Sequence, residues 1–287
     1  MSTPVRAQAI AAPTADVGTP SVHVRRLESL DDLEACVALQ KAIWGADFDA
    51  MVPTSLLQAS AHIGGLVIGA FAGDALVGFV FGLAGVRDGE IVHWSHMLGV
   101  LPEAREMGIG RQLKEFQRET LAARRVTRVL WTFDPLQARN AHLNINRLGV
   151  RVTEYVVNMY GTTRSPLHFG IATDRLIVES STAPTSGSMK GSSAIFAQSL
   201  PVLTPIPRRE DRALDGELPS FALVEIPADV QRVAEESADA MNLWRVATRE
   251  HMQWAFSHGY RIAALHRDFA ESRVFYLIAR DAREVAT

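Results

Sequence analysis

What this sequence lacks narrows it before anything it contains. Cysteine occurs once, as Cys36, so no intrachain disulfide can close and no thiolate metal cluster can form. A lone cysteine inside a helical apolar pattern reads as a small buried hydrophobe. No run approaches the ~18 consecutive apolar residues that a bilayer span needs. Met1–Pro20 is rich in Ala, Pro and Thr and has no continuous apolar stretch of the kind a secretory signal carries, so it reads as a disordered tail on a cytoplasmic protein. Basic excess is missing too: 29 Lys and Arg stand against 32 Asp and Glu, a net charge of −3, which leaves no electrostatic case for a nucleic-acid partner. No residue cluster calls for a metal, and no internal repeat is visible.

What is present is an ordinary globular composition, 47% apolar and 21% charged over 287 residues, enough for one large domain or two small ones. Val22, Val24 and Leu27 suggest a short strand. Ser29 is placed to cap a helix from Leu30 to Trp44, whose apolar positions Leu30, Leu33, Val37 and Trp44 have helical spacing. Pro53 and Thr54 open a second helix to about Ala61, ended by Gly64-Gly65. The runs Leu66–Ala72, Ala75–Phe81 and Glu90–Val100, separated by Gly73-Asp74 and Arg87-Asp88-Gly89, read as an antiparallel meander.

A helix from about Gly108 to Arg124 follows, with Ile109, Leu113, Phe116 and Leu121 on one side. Val129–Phe133 is a short apolar strand of the kind buried on both faces. Strand, helix, strand therefore predicts a right-handed parallel crossover. Asp134-Pro135 stops the strand, Asn140–Leu148 reads as a short helix ended by Gly149, and Val152–Met159 and Asp174–Val178 as further strands. Ser180–Ser193 and Leu203–Pro219 read as loops. Phe221–Ile226, Tyr260–Leu265 and Val274–Ala279 form a three-strand set, with Ala228–His258 mostly helical.

The chemistry concentrates in His93–Arg111, a buried strand, a short loop and a helix start holding two glycines. Such a junction presents unpaired backbone N–H groups, backed by the helix dipole, to a phosphate-bearing ligand. Gly108-Ile109-Gly110 is not a P-loop, because no Gly-Lys-Ser/Thr follows. A dinucleotide turn would need a third glycine where Leu113 stands.

The run Leu98-Gly-Val-Leu-Pro-Glu-Ala-Arg-Glu-Met-Gly-Ile-Gly-Arg111 resembles the acyl-CoA-binding motif of the GNAT superfamily of N-acetyltransferases, with Arg105, Gly108 and Gly110 in its defining positions. Trp131–Gly149, Tyr160-Gly161 and Thr173–Leu176 are similar to a bacterial subfamily with an extended C-terminal region, some of whose members occur beside N-acylamino-acid racemases. The resemblance implies an α/β GNAT fold: a mixed, mostly antiparallel sheet with a central parallel strand–helix–strand crossover and splayed strands, plus a C-terminal α+β extension. The implied organisation is a tail at 1–20, an acyltransferase core at 21–165 and the extension at 166–287.

It further implies acetyl-CoA, or its rival succinyl-CoA, as co-substrate. Backbone amides of Arg105, Glu106, Met107, Gly108, Ile109, Gly110 and Arg111 would hold the pyrophosphate, and Met97, Leu98 and Val100 would pair with the pantetheine arm. Asn140 and Asn144 are the family-position contacts on the following helix, although Asn140 reads equally well as an N-cap. The family's general-acid tyrosine would fall at Ile145 and is absent, which passes thiolate protonation to Tyr155, Tyr160, a water or the solvent. The base for the amine would come from Glu90, His93, Ser95 or His96, and His96 is nearest the expected splay. Strand alternation sets His93, Ser95 and Met97 against Trp94 and His96, unless a bulge intervenes. Arg175, Arg245 and Arg249 are candidates to hold a substrate carboxylate, each with a structural role as its alternative.

The expected function is acyl transfer to the amine of a small molecule, an amino acid being the acceptor the subfamily resemblance suggests, by direct attack in a ternary complex; the sequence admits a homodimer. The missing tyrosine supports the alternative of a CoA-binding sensor or assembly module with little catalysis. Acylation of a protein needs an open peptide groove, and the large C-terminal region argues against one.

Overall fold

The computed structural model describes residues 21–46, 48, 50–161, 171–183, 200–205 and 218–280. The expected tail at 1–20 and the greater part of both loop stretches lie outside the described residues. The first element is β1 (Val22–Arg26), followed by α1 (Leu30–Trp44), which starts with a full capping box: Ser29 accepts from the Asp32 amide while the Asp32 carboxylate reaches back to the cap backbone. The same carboxylate holds Arg25 through two bonds of 2.8 and 2.7 Å, fastening the helix start to β1. α2 (Thr54–His62) leads into the meander β2 (Leu66–Ala72), β3 (Ala75–Arg87) and β4 (Glu90–Val100).

β3 runs six residues past its expected end at Phe81. Gly82 and Gly85 are poor strand formers, but pairing with β4 carries them, from Gly82 opposite Ser95 to Arg87 opposite Glu90. A Cβ at Gly82 would collide with the His93 ring, so the residue that hid the strand from propensity is one the packing requires. After a 3₁₀ turn (Pro102–Met107) come α3 (Ile109–Ala123), β5 (Arg128–Phe133) and α4 (Ala138–Ala141). α4 continues as a π-helical turn, His142–Arg147, and β6 (Arg151–Val156) and β7 (Arg175–Ser181) complete the first sheet.

That sheet has the order β1-β2-β3-β4-β5-β7-β6. Its β4–β5 pairing is parallel, as the crossover predicts, and the other neighbours are antiparallel. β7 inserts between β5 and β6, a placement that local pattern does not reveal. Its Leu176, Ile177 and Val178 are buried on both faces, whereas β6 buries Val152 alone, as suits an edge.

The second sheet has four strands where three were expected: β8 (Val202–Leu203), β9 (Phe221–Ile226), β10 (Tyr260–Asp268) and β11 (Arg273–Arg280) in the order β10-β11-β9-β8. The two-residue β8 is too short to show periodicity, and its Leu203 stands at the start of a stretch that reads as loop. The expected helical stretch is α5 (Val230–Glu236) and α6 (Ala238–Ser257), broken where Ser237 is extended and caps α6.

α1 and α2 cover one face of the first sheet over a core holding Leu33, Cys36, Leu57, Phe79 and Phe81. The other face carries α3 and α4, and its core continues without a break into Val224, Met241, Met252 and Tyr276 of the C-terminal part. Polar fasteners cross the same junction. Buried Arg245 on α6 grips Asp134 at the end of β5 through two bonds of 3.0 and 2.6 Å. Arg249 grips Asp174 at 2.9 Å twice, and the Tyr276 hydroxyl donates to the Pro135 carbonyl at 2.7 Å. Asn146 pairs with the backbone of Leu265 as another strand would, donating at 2.8 Å and accepting at 3.0 Å. Among the described residues no helix is long and apolar enough to cross a membrane.

Candidate active site

The site begins with a fault in β4. The β3–β4 register shifts between Phe81 and Gly82, which pair with Met97 and Ser95 and leave His96 as the bulged residue. The bulge reverses the alternation beyond it. His93 and Ser95 face α3, as do Leu98 and Val100 after it, whereas Trp94, His96 and Met97 share the α1–α2 face. The simple alternation that grouped Met97 with His93 and Ser95 is therefore corrected by one extra residue. Parallel pairing to β5 covers Val92, His93 and Trp94 and stops there. From Ser95 onward β4 and β5 diverge, and that half of β4, including Met97, Leu98 and Val100, has no strand partner on the β5 side among the described residues.

The upper end of this opening is the loop into α3. Gly108 sits at φ +69°, a left-handed conformation that an L side chain resists, and a Cβ there would meet open space. A Cβ at Gly110 would come no nearer than 3.6 Å to Leu98, so the protein's own packing does not require that glycine. No side chain caps the helix start; the Arg111 amide, expected among the pyrophosphate donors, turns back to the Gly108 carbonyl at 3.1 Å, and the Ile109 and Gly110 amides ahead of it have no intrahelical carbonyl to reach. Arg105 is exposed, with its Nε 3.3 Å from the Val100 carbonyl, and Arg111 is exposed and paired with Glu115 at 2.7 Å. Glu106 and Met107 lie in the 3₁₀ turn, and Ile109 is fully buried at the start of α3. The loop residues expected to hold a pyrophosphate are thus contiguous around one helix N-terminus, with two cations at its rim.

The floor of the opening holds a residue that sequence reading passed over. Lys114, one turn into α3, extends between the diverging strands, its Nζ donating to Ser95 Oγ of β4 at 2.8 Å and lying 3.9 Å over the Trp131 ring of β5. The residue as a whole is half-buried, yet its ammonium is enclosed enough that desolvation pulls its pKa down to about 7. Beneath it, buried His93 shares a 3.2 Å contact with Gln117. Desolvation first, then the charges of Lys114 and Arg124, lower the His93 pKa to about 4, so the ring is neutral at physiological pH. A cavity of about 220 Å³ adjoins Lys114, lined by Arg111, Glu115, Gln117 and Arg118 of α3, Val129 and Trp131 of β5, Arg147 at the end of the π-helical turn with Leu148 after it, and Ser180. Four of its lining residues are cationic and one is acidic. Lys114 was legible only as one of several polar residues on an amphipathic helix, and nothing local distinguishes it from Arg118.

The other expected residues scatter. His96 is exposed on the α1–α2 face, its ring edge-on to Phe81 at 6.0 Å, with its pKa lowered by the surrounding protein. Glu90 lies at the exposed start of β4 beside Arg128. Tyr155 is on β6, two strands away from β5, and donates to Asp174 at 2.7 Å. Burial and that carboxylate raise its pKa far above the ordinary tyrosine value, so the structure sets it apart from the opening as a structural partner of Asp174. Tyr160 is nearer: its hydroxyl is 3.4 Å from Thr132 Oγ1 of β5, and Arg175 stacks 5.4 Å from its ring.

Asn140 is the third residue of α4, exposed and not an N-cap, that position being Gln137. Asn144 is buried and committed, accepting from Trp131 Nε1 at 2.8 Å and donating to the Asn140 carbonyl at 2.8 Å. Ile145, at the place of the absent tyrosine, is buried in the core. Arg245 and Arg249 are consumed by Asp134 and Asp174. Among the described residues no group of His, Cys, Asp and Glu could hold a metal.

Residues 33–146 match the model of the Acetyltransferase (GNAT) family. No curated protein matches the chain. Among solved structures the chain is similar to the ribosomal-protein-S18-alanine N-acetyltransferase of Escherichia coli, at 17% identity and TM-score 0.46, covering 60% of this chain and 100% of that one. It is similar to Naa50 of Arabidopsis thaliana in complex with a bisubstrate analogue, at 17% identity and TM-score 0.45, covering 56% and 98%. It is similar as well to YncA of Salmonella typhimurium, a putative acetyltransferase with its cofactor acetyl-CoA, at 17% identity and TM-score 0.45, covering 59% and 99%.

Proposed function

From the match of residues 33–146 to the GNAT acetyltransferase family model, we propose that the protein transfers an acetyl group from acetyl-CoA to the amine of a small molecule. The observation that carries this reading is the bulge at His96, beyond which β4 parts from β5 directly below an uncapped, glycine-bearing helix start. The residues fit the donor. Uncapped amides and the cations Arg105 and Arg111 suit a pyrophosphate. The unpartnered half of β4 suits an amide-bearing arm, which can pair with it as an added strand.

The α1–α2 face receives the acceptor. There His96, whose pKa desolvation by the surrounding protein lowers, accepts the proton that the amine must shed to become a nucleophile. Alignment of amine and carbonyl supplies the larger share of the rate. Succinyl-CoA is the rival donor, and the cationic lining of the cavity beside Lys114 is the feature that favours a donor with an acidic acyl chain. The buried Ile145 in place of a tyrosine supports the second reading, a CoA-binding module with little turnover.

The two readings separate in one experiment. Purified protein is titrated with CoA by calorimetry, then offered a mixture of amines with acetyl-CoA and succinyl-CoA, with products read by mass spectrometry. Micromolar CoA binding together with an acylated amine is expected. Binding without product supports the module, and no binding refutes both. His96→Asn should lower kcat about 100-fold and leave CoA affinity unchanged.

A further inference from the structure

Several features of the molecule concern architecture alone. The Asp134–Arg245 and Asp174–Arg249 pairs join the C-terminal part to the core, and Cys36 is a fully buried thiol whose pKa burial raises to about 12. One buried polar cluster is different, because it occupies the opening itself.

Lys114 meets three conditions that a structural surface lysine does not. It reaches inward from α3 to lie between Ser95 of β4 and Trp131 of β5, the two strands whose divergence makes the opening. Its ammonium has no carboxylate against it among the described residues: Ser95 accepts one of its three protons, and the Trp131 ring face takes the charge. Glu115, the one acidic residue lining the adjoining cavity, is occupied by Arg111 at 2.7 Å. Desolvation lowers its pKa to about 7, so near neutral pH it can both hold a proton and give it up.

Resting on the acetyltransferase reading, we infer that Lys114 is the catalytic acid of this site: its ammonium, held by Ser95 and the Trp131 ring, protonates the thiolate sulfur of the departing CoA. As the acceptor nitrogen bonds to the carbonyl carbon, the carbon–sulfur bond breaks and its electron pair passes to sulfur. Lys114 delivers a proton to that sulfur, giving the free thiol and a neutral amine, and recovers a proton from solvent before the next turnover. The proton shed by the acceptor leaves separately, on the α1–α2 face. The role left open by Ile145 is thereby filled from α3. Ser95 is a positioning residue, since it acts through Lys114.

The charged and titratable groups around Lys114 are Arg111, Glu115 and Arg118 of its own helix, His93 of β4 and Arg147 at the end of the π-helical turn. His93 is neutral above a pKa of about 4 and the arginines keep their charge. The alkaline limb of the kcat profile is therefore assigned to Lys114 itself.

The test uses the full chain, its Lys114→Met variant and its Lys114→Arg variant, each checked for wild-type thermal unfolding and CoA affinity. CoA is bound to each, and its thiol is titrated through the ultraviolet absorbance of the thiolate. In the wild type the bound thiol should ionise at least about tenfold more readily than in Lys114→Met, which is one unit of pKa. With a turned-over amine, both variants should lose about 100-fold in kcat with little change in KM for acetyl-CoA. Lys114→Arg decides between charge and proton, because a guanidinium keeps the cation and does not release a proton. A bound thiol that titrates alike in wild type and Lys114→Met overturns the proposal, as does wild-type kcat in Lys114→Arg or an acetyl group found on Lys114 itself. Failure of the wild type to bind CoA overturns the acetyltransferase reading. A shifted thiol without turnover of any amine overturns that reading too, while leaving the contact of Lys114 with sulfur established.

Discussion

Replacing Asp134 by alanine should cost this protein a large part of its stability, and the structure says why. The Asp134 carboxylate is the bidentate partner of Arg245, which is 2% exposed. Removing the carboxylate strands a guanidinium inside a core shared by α6 and the first sheet. Leaving one member of a buried ion pair uncompensated costs about 3–5 kcal/mol. Asp134 also accepts from the Leu136 amide at 2.9 Å, turning the chain out of β5, and loss of that bond adds about 1 kcal/mol. The total, about 4–6 kcal/mol, compares with a native stability of about 5–15 kcal/mol and corresponds to a fall in Tm of about 10–20 °C. Urea unfolding followed by circular dichroism and tryptophan fluorescence measures it. The double variant Asp134→Ala, Arg245→Met removes the nearer stranded charge, leaving Arg175, whose guanidinium lies 3.9 Å from the Asp134 carboxylate, and should cost at least about 2 kcal/mol less than the sum of the single variants. A loss below about 1 kcal/mol for Asp134→Ala, or single-variant costs that simply add, would refute the argument.

Three further outcomes follow from the same geometry. Gly110→Val should weaken CoA binding at least about tenfold in calorimetry with little change in unfolding midpoint, because the Cβ has room in the free protein and helix φ there is ordinary; unchanged affinity would displace the pyrophosphate from this helix start. The buried His93 ring, with its pKa about 4 against 6.5 for an ordinary histidine, binds protons less readily folded than unfolded. Its contribution is complete above the unfolded pKa and is lost as pH falls toward the folded one, so His93→Gln should flatten the stability profile between those two values, read by urea midpoints across the range. Asn146→Ala deletes both bonds to the Leu265 backbone and should destabilise by about 1–3 kcal/mol, with amide exchange rising first in β10; exchange spread evenly over the chain would contradict that.

Local chemistry made much of the scaffold legible. The capping box at Ser29, the glycine-marked turns of the meander, the amphipathic α3 and the apolar β5 each follow from a short window whose physics is self-contained. So does the loop at Gly108, where positive φ and an uncapped helix start belong to neighbouring residues. The misreadings have a common cause. β3 was cut short because Gly82 discourages a strand, while the His93 ring that demands a glycine arrives from another strand. β7 was placed after β6 in sequence and lies inside it in the sheet, since strand order depends on which edges meet.

The sequence by itself determined the elements and the glycine-bearing helix start, because periodicity, capping and turn chemistry act over a few residues. The tertiary structure alone decided what stands in the opening. A one-residue bulge at His96 moved Met97 to the opposite face, Asp174 and Asp134 claimed Tyr155, Arg249 and Arg245, and Trp131 claimed Asn144. Lys114 acquired its place between Ser95 and Trp131 in the same way. Each depends on contacts between residues far apart in the chain, where desolvation and competition among partners set the outcome.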